Sequence, residues 1–381
     1  MSEDTALGLY IHWPYCARIC PYCDFNVYRP KGAEDVLRAA ILDDMAHWRE
    51  RTGARALTSL HFGGGTPSLM TPEAIGEVIE AADQLWGFTA DAERGLEANP
   101  NDRAGFKAFA GAGINRLSVG VQSFQGGVLE RLGRDHGADT ARSAVDMALH
   151  SVPEVSLDLI YAWDGQTLEM WRQELDTALA TGVGHLSPYQ LTIEQGTAFG
   201  KRAERGEKLA LEADDAAAFY ELADEIASRA GFERYEISNH ARSPAAQSRH
   251  NRLYWEGADW IGVGPGAHGR LGRHSTGGRI GTEAARRPGE YVQQVKSGRW
   301  GVAELEALSA EDERAERILM GIRLAEGLDL TRLQRATGLG IDEGEAERMI
   351  AAGLLQRQGD RIQLTREGQL LGDAVSMALV P

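Results

Sequence analysis

Residues 10–25, YIHWPYCARICPYCDF, contain every cysteine of the 381-residue chain, with Cys16, Cys20 and Cys23 spaced C-x3-C-x2-C. A loop that short can turn three sulfurs toward one point, and thiolates select zinc or iron–sulfur clusters among the metals. A closed structural zinc site takes four protein ligands. With no fourth cysteine in the chain, the spacing points to a four-iron cluster on three thiolates, with one iron left open to an exogenous ligand. Zinc requires His12 or Asp24 to complete its set.

Outward from this loop, short β-rich runs at 7–12, 57–62, 95–98, 116–121, 155–160 and 185–192 alternate with amphipathic segments of helical length. That alternation predicts parallel strands joined by crossover helices, an α/β chain. Six such units fall short of an eight-fold barrel, and on pattern alone a doubly wound sheet remains the alternative. In barrels of this kind chemistry gathers at the C-terminal ends of the strands. The first run leads into the cysteine loop, and the second ends in Gly63-Gly64-Gly65-Thr66-Pro67, where missing side chains let backbone amides approach a ligand. Glu97 in LEANP, Gln122 in SVGVQSF and Asp158 in SLDLIY put polar groups at or near strand ends that are otherwise apolar.

The cysteine spacing and its aromatic flanks resemble the radical S-adenosylmethionine (radical SAM) superfamily. With the downstream motifs, the chain is similar to the coproporphyrinogen dehydrogenase (HemN)-like group, most of all to its HemW-type haem-chaperone branch, and the resemblance covers nearly the whole chain. It implies a partial (β/α)6 barrel over residues 1–290 and a helix-rich, winged-helix-like domain over 300–381. It also implies a 4Fe-4S cluster whose open iron chelates the amino and carboxylate groups of S-adenosylmethionine. Tyr10, Gly64, Gly65, Thr66, Glu97, Gln122, Arg134, Asp158, Tyr189 and Gln190 match family positions around that ligand. The expected roles are glycine-loop amides toward the methionyl group, carboxylates and amide toward ribose hydroxyls and the amino group, and Arg134 toward the carboxylate.

A second informative stretch is His250-Asn251-Arg252-Leu253-Tyr254-Trp255. On the residues alone it is either an axial iron ligand with two aromatic rings for a porphyrin, or a loop histidine before a Tyr-Trp pair buried in the core. The resemblance favours the first: HNRLYW matches the haem-chaperone motif HNxxYW at every fixed position, giving His250 as the haem-iron ligand and Tyr254 and Trp255 as its flanks. Residues 261–269, IGVGPGAHG, form a glycine-rich turn suited to close approach to a flat ligand or to the cluster loop. His268 within it is a weaker ligand candidate.

The net charge of −16, without any Lys/Arg run, argues against nucleic acid as a partner. The N-terminal residues lack the basic start and apolar stretch of a signal peptide, and no window reaches the length of a spanning helix. A cytoplasmic protein is expected, where thiolates persist as metal ligands. Beyond residue 312 the pattern reads helix, short helix, helix, then strands 354–356 and 361–364 around Gly359-Asp360, and a last helix.

Two functions share the cysteines. One is a haem chaperone that passes haem to an acceptor protein, its cluster served by a reductant. The other is an oxygen-independent coproporphyrinogen III oxidase, in which reductive cleavage of S-adenosylmethionine yields a radical that abstracts hydrogen from propionate side chains. The oxidase branch carries a further cysteine where this chain has Phe25, and a longer segment ahead of the motif. Both departures lean the reading away from the oxidase.

Overall fold

The computed structural model describes residues 6–272 and 278–381. Six parallel strands, β1 (Leu7–Trp13), β2 (Leu57–Gly64), β3 (Phe88–Ala98), β4 (Arg116–Gln122), β5 (Glu154–Tyr161) and β6 (His185–Gln190), pair in chain order. Leu7, Leu9 and Ile11 of β1 and Leu57, Leu60 and Phe62 of β2 have no exposed surface. Crossover helices cover one face and the barrel interior the other, which is why these strands read as nearly continuous apolar runs. The helix Pro72–Trp86 shows how local sequence sets an element: Thr71 caps it by accepting from Ala74 N at 3.2 Å, and Pro72 opens it.

β3 starts earlier than residue 95 because its first half, beginning FTAD, is polar and partly exposed and yet pairs with β2 at Leu57↔Phe88. Beyond β6 lie β7 (Glu233–Glu236) and β8 (Asn239–Ala241), antiparallel to each other. A long helix, Ala213–Arg229, lies between β6 and β7. On the other side of β1 the sheet gains a parallel strand that was not expected, β9 (Asp259–Val263), from the first half of the glycine-rich stretch. β10 (His268–Leu271), β11 (Ile280–Ala284) and β12 (Val302–Ala307) follow, antiparallel. The order is β12-β11-β10-β9-β1-β2-β3-β4-β5-β6-β8-β7. β12 and β7 do not meet, so the fold is α/β with a partly open, mostly parallel sheet.

The helix Ala310–Gly321 opens a smaller unit with its own core, including Ile318, Ile322, Leu333, Ile362 and Leu379. Its strands are β13 (Leu328–Asp329), β14 (Leu355–Gln358) and β15 (Arg361–Leu364), the last two forming a hairpin across Gly359-Asp360. Among the described residues no helix is long and apolar enough to cross a membrane.

Candidate functional site

The C-terminal ends of β2 to β6 open into a cavity of about 560 Å³, and the cysteine loop forms one of its walls. That volume lies in the roughly 300–1,000 Å³ range of small-molecule sites. Cys16, Cys20 and Cys23 all line it. The loop that carries them is tied down on several sides. Cys16 N donates to Tyr28 O at 2.9 Å, Phe199 N to Pro21 O at 2.8 Å, and Asn26 Nδ2 to Pro265 O and Arg286 O at 2.9 and 2.8 Å.

The glycines serve this loop. Gly65 N donates to Trp13 O at 2.7 Å and Thr66 N to Tyr15 O at 2.8 Å, while Gly64 N donates to Glu97 Oε2 at 3.2 Å. The amides expected to face the methionyl group are therefore already taken, a correction to the sequence-based role. What the turn requires is space. Gly64 has φ +106°, and a Cβ there would lie 2.6 Å from the His12 ring; one on Gly65 would lie 2.8 Å from Tyr15 O. The second glycine-rich turn settles the same way. A Cβ on Gly264 would meet His12 O at 2.4 Å and one on Gly266 would meet Asn26 Nδ2 at 2.5 Å, so this turn packs closely against β1 and the cysteine loop.

His12 is not free to complete a zinc site, since Nδ1 pairs with Tyr10 OH and Nε2 with Asn26 O, each at 3.0 Å. All three thiols line the cavity, and three thiolates are the donor set a four-iron cluster takes when one iron stays open. Burial raises the Cys16 thiol and pushes Cys23 up to about 11, so a bound metal must displace their protons. Arg134 Nη1 donates to Cys20 Sγ at 3.3 Å and Nη2 to Gly120 O at 3.0 Å, placing a cation beside the thiolates. The donor set thus fits a cluster.

Glu97, Gln122, Arg134, Asp158, Tyr189 and Gln190 also line the cavity, as do Gly64, Gly65 and Thr66. Gln122 holds φ at +65°, an uncommon conformation for a residue with a side chain. Asp158 accepts from Ser118 Oγ at 3.1 and 3.3 Å, and burial pushes its carboxyl up to about 6 despite the hydroxyls of Ser187 and Ser118. Tyr10 stands apart. Its hydroxyl is on His12, and its ring lies against those of His61 and His250, with centroids 6.4 and 6.1 Å away.

Of the HNRLYW stretch Asn251 lines the cavity, whereas His250, Tyr254 and Trp255 do not. It forms a helix, Arg249–Trp255, where a loop was read. Ser248 caps that helix, and the buried Glu93 carboxylate of β3 accepts from Arg249 N at 3.0 Å and His250 N at 3.1 Å. His250 is 1 % exposed, with Nδ1 2.8 Å from Ser59 Oγ and Nε2 2.7 Å from Tyr254 OH. Burial, with His61 alongside, lowers its pKa well below the usual value, so the ring is neutral. Trp255 turns away from His250 toward the C-terminal unit, where the Arg323 guanidinium lies 4.6 Å from its ring centre. His268 is exposed, 4.0 Å from Glu283, and does not line the cavity.

Comparison with known proteins places the chain in a family. Residues 10–178 match the radical SAM superfamily model and residues 308–371 the HemN C-terminal domain model. The heme chaperone HemW of Mycobacterium tuberculosis is 36 % identical, covering 98 % of this chain and 94 % of its own. HemW of Escherichia coli K12 is 35 % identical, with 97 % of each chain covered. The chain belongs to the radical SAM superfamily. The mouse mitochondrial radical S-adenosyl methionine domain-containing protein 1 is also 35 % identical, over 100 % of this chain and 88 % of its own. Among solved structures, coproporphyrinogen III oxidase (HemN) from Escherichia coli superposes with a TM-score of 0.81 at 21 % identity, covering 99 % of this chain and 91 % of that one, a likeness of fold.

Some cavity residues of this superfamily member were not singled out from the sequence. His61, Arg116, Ser118, Ser156, His185 and Ser187 line the interior below the expected set. Their signal was present: polar residues or glycine recur at every second position along β4 (Arg116, Ser118, Gly120, Gln122), and polar residues along β5 (Ser156, Asp158) and β6 (His185, Ser187). In a strand that period places them on one face.

Proposed function

We propose that this protein is a haem chaperone that carries a 4Fe-4S cluster on Cys16, Cys20 and Cys23, binds S-adenosylmethionine at the strand ends, and hands haem to an acceptor protein. The observation that carries the reading is the end-to-end similarity to proteins named heme chaperone HemW, with more than nine-tenths of both chains covered. Phe25 stands where the oxidase branch has its further cysteine, and it is 62 % exposed at the cavity wall. The reading places the protein in the cytoplasm, where a reductant keeps the cluster and its thiolates serviceable.

Within it, this chain's own residues have definable tasks. The three thiolates hold the cluster, whose open iron supplies a chelation point for S-adenosylmethionine. Glu97, Gln122 and Asp158 offer acceptors and donors for the polar groups of that ligand, and Arg134 faces its carboxylate. Tyr189 and Gln190 stand exposed at the rim. Haem is cargo. For His250 to reach its iron, the histidine must leave Ser59 and Tyr254, and the helix Arg249–Trp255 must shift with it.

The test pairs two assays. Haem titration should give a Soret band that weakens and shifts in His250→Ala with cluster iron unchanged, and loaded protein should pass haem to an apo-haemoprotein. Turnover of coproporphyrinogen III with S-adenosylmethionine and a reductant, together with equal haem binding by wild type and variant, would replace the chaperone with the oxidase.

A further inference from the structure

Behind the cavity, the barrel interior around β1 and β2 is filled with rings where such barrels ordinarily pack aliphatic side chains. His61 of β2 lines the cavity and sets Nε2 3.4 Å from Glu97 Oε1, while the other Glu97 oxygen accepts from Gly64 N. His61 has no slack. A Cβ on Gly95 would lie 2.5 Å from its Nδ1, and the His250 ring stacks on it with centroids 4.8 Å apart and planes 15° apart. His250 is in turn fixed at both nitrogens by Ser59 and Tyr254, on a helix whose first amides are bound by Glu93. The chain of contacts therefore runs from the HNRLYW helix through two imidazoles to a carboxylate at the cavity wall.

We propose that His250 is a positioning residue for S-adenosylmethionine: it props His61, which holds Glu97 toward the ligand, and it touches no ligand itself. This rests on the reading that the cavity takes S-adenosylmethionine, and it applies to the haem-free protein. The physical ground is that a close-packed interior transmits the loss of a ring to its neighbours. With His250 shortened, His61 gains room to tilt from Glu97, and the carboxylate is left with the Gly64 amide alone. A purely supporting core residue would weaken the ligand whether or not Glu97 was present.

That difference can be measured as a double-mutant cycle in haem-free, cluster-reconstituted protein, with S-adenosylmethionine affinity read by equilibrium dialysis. His250→Leu is expected to lower affinity roughly tenfold beside Glu97 and less than about twofold in a Glu97→Gln background, because residues acting through one another are non-additive. Cluster iron content should be unchanged in all four proteins. Equal losses in the two backgrounds, or no loss beside Glu97, would overturn the assignment. If His250→Leu does not fold, Tyr254→Phe enters the same cycle, since it removes the bond to Nε2 and keeps the ring. Wild-type protein that binds no S-adenosylmethionine would bring down the reading of the cavity and this assignment with it, whereas wild-type binding with an additive cycle refutes only the assignment.

Discussion

The imidazoles of His61 and His250 stack with centroids 4.8 Å apart and planes 15° apart, joining the cavity wall to a histidine that does not itself line the cavity. In the proposed assignment the stack makes His250 part of the support for the S-adenosylmethionine site, and its removal to a haem iron would undo that support. The two proposed ligands should therefore oppose each other. Saturating S-adenosylmethionine should weaken haem binding, and haem should weaken S-adenosylmethionine by the same factor, because linkage between binding sites is reciprocal. Tyr254→Phe, which frees Nε2, should tighten haem and loosen S-adenosylmethionine. Paired titrations check this, and movement of both affinities in one direction would indicate general damage instead.

Alanine at Cys16, Cys20 and Cys23 together should abolish the broad iron–sulfur absorbance of reconstituted protein. The chain has no other cysteine to replace them. Iron analysis after anaerobic reconstitution checks it; near-wild-type iron in the triple variant would place the cluster elsewhere.

Gln122 pays for its position in backbone strain, about 1–3 kcal/mol for a residue with a side chain at φ +65°. Gln122→Gly should therefore raise or preserve the melting temperature while weakening S-adenosylmethionine. Glu97→Ala should weaken it by about 1–3 kcal/mol, the value of a buried or charge-assisted hydrogen bond. Calorimetry alongside dialysis separates the two effects.

Asp158 should make stability depend on pH. Burial pushes its folded-state pKa up to about 6, above the ordinary carboxylate value. Its favourable contribution is thus complete below the unfolded pKa near 4 and lost as pH rises through about 6. Asp158→Asn removes this dependence, so the variant should gain on wild type as pH rises from about 4 to about 7 and hold a constant lead above that. Thermal melts across that rise check it, and a constant difference over it would mean that the carboxyl titrates normally.

Much of the site was legible locally. The three cysteines, the glycines after β2 and the polar groups ending β3, β4 and β5 report chemistry through their own neighbours in sequence, because a strand end or a tight turn constrains residue type within a few positions. The parallel order of β1 to β6 was legible too, since two-sided burial writes itself as apolar runs spaced by helices. β9 was less so: its second half opens a glycine-rich stretch that looks like a turn, and only pairing with β1 makes it a strand.

By itself, then, the sequence determined the family, the α/β class of the fold and the order of its six parallel strands. The tertiary structure alone decided what HNRLYW does in the haem-free chain. Ser59 and His250 are 191 residues apart and share a hydrogen bond, and Gly95 and His61 come together only because β2 and β3 are neighbours. Whether a histidine nitrogen is offered to a ligand or consumed by the core depends on such distant partners, and no local pattern encodes them.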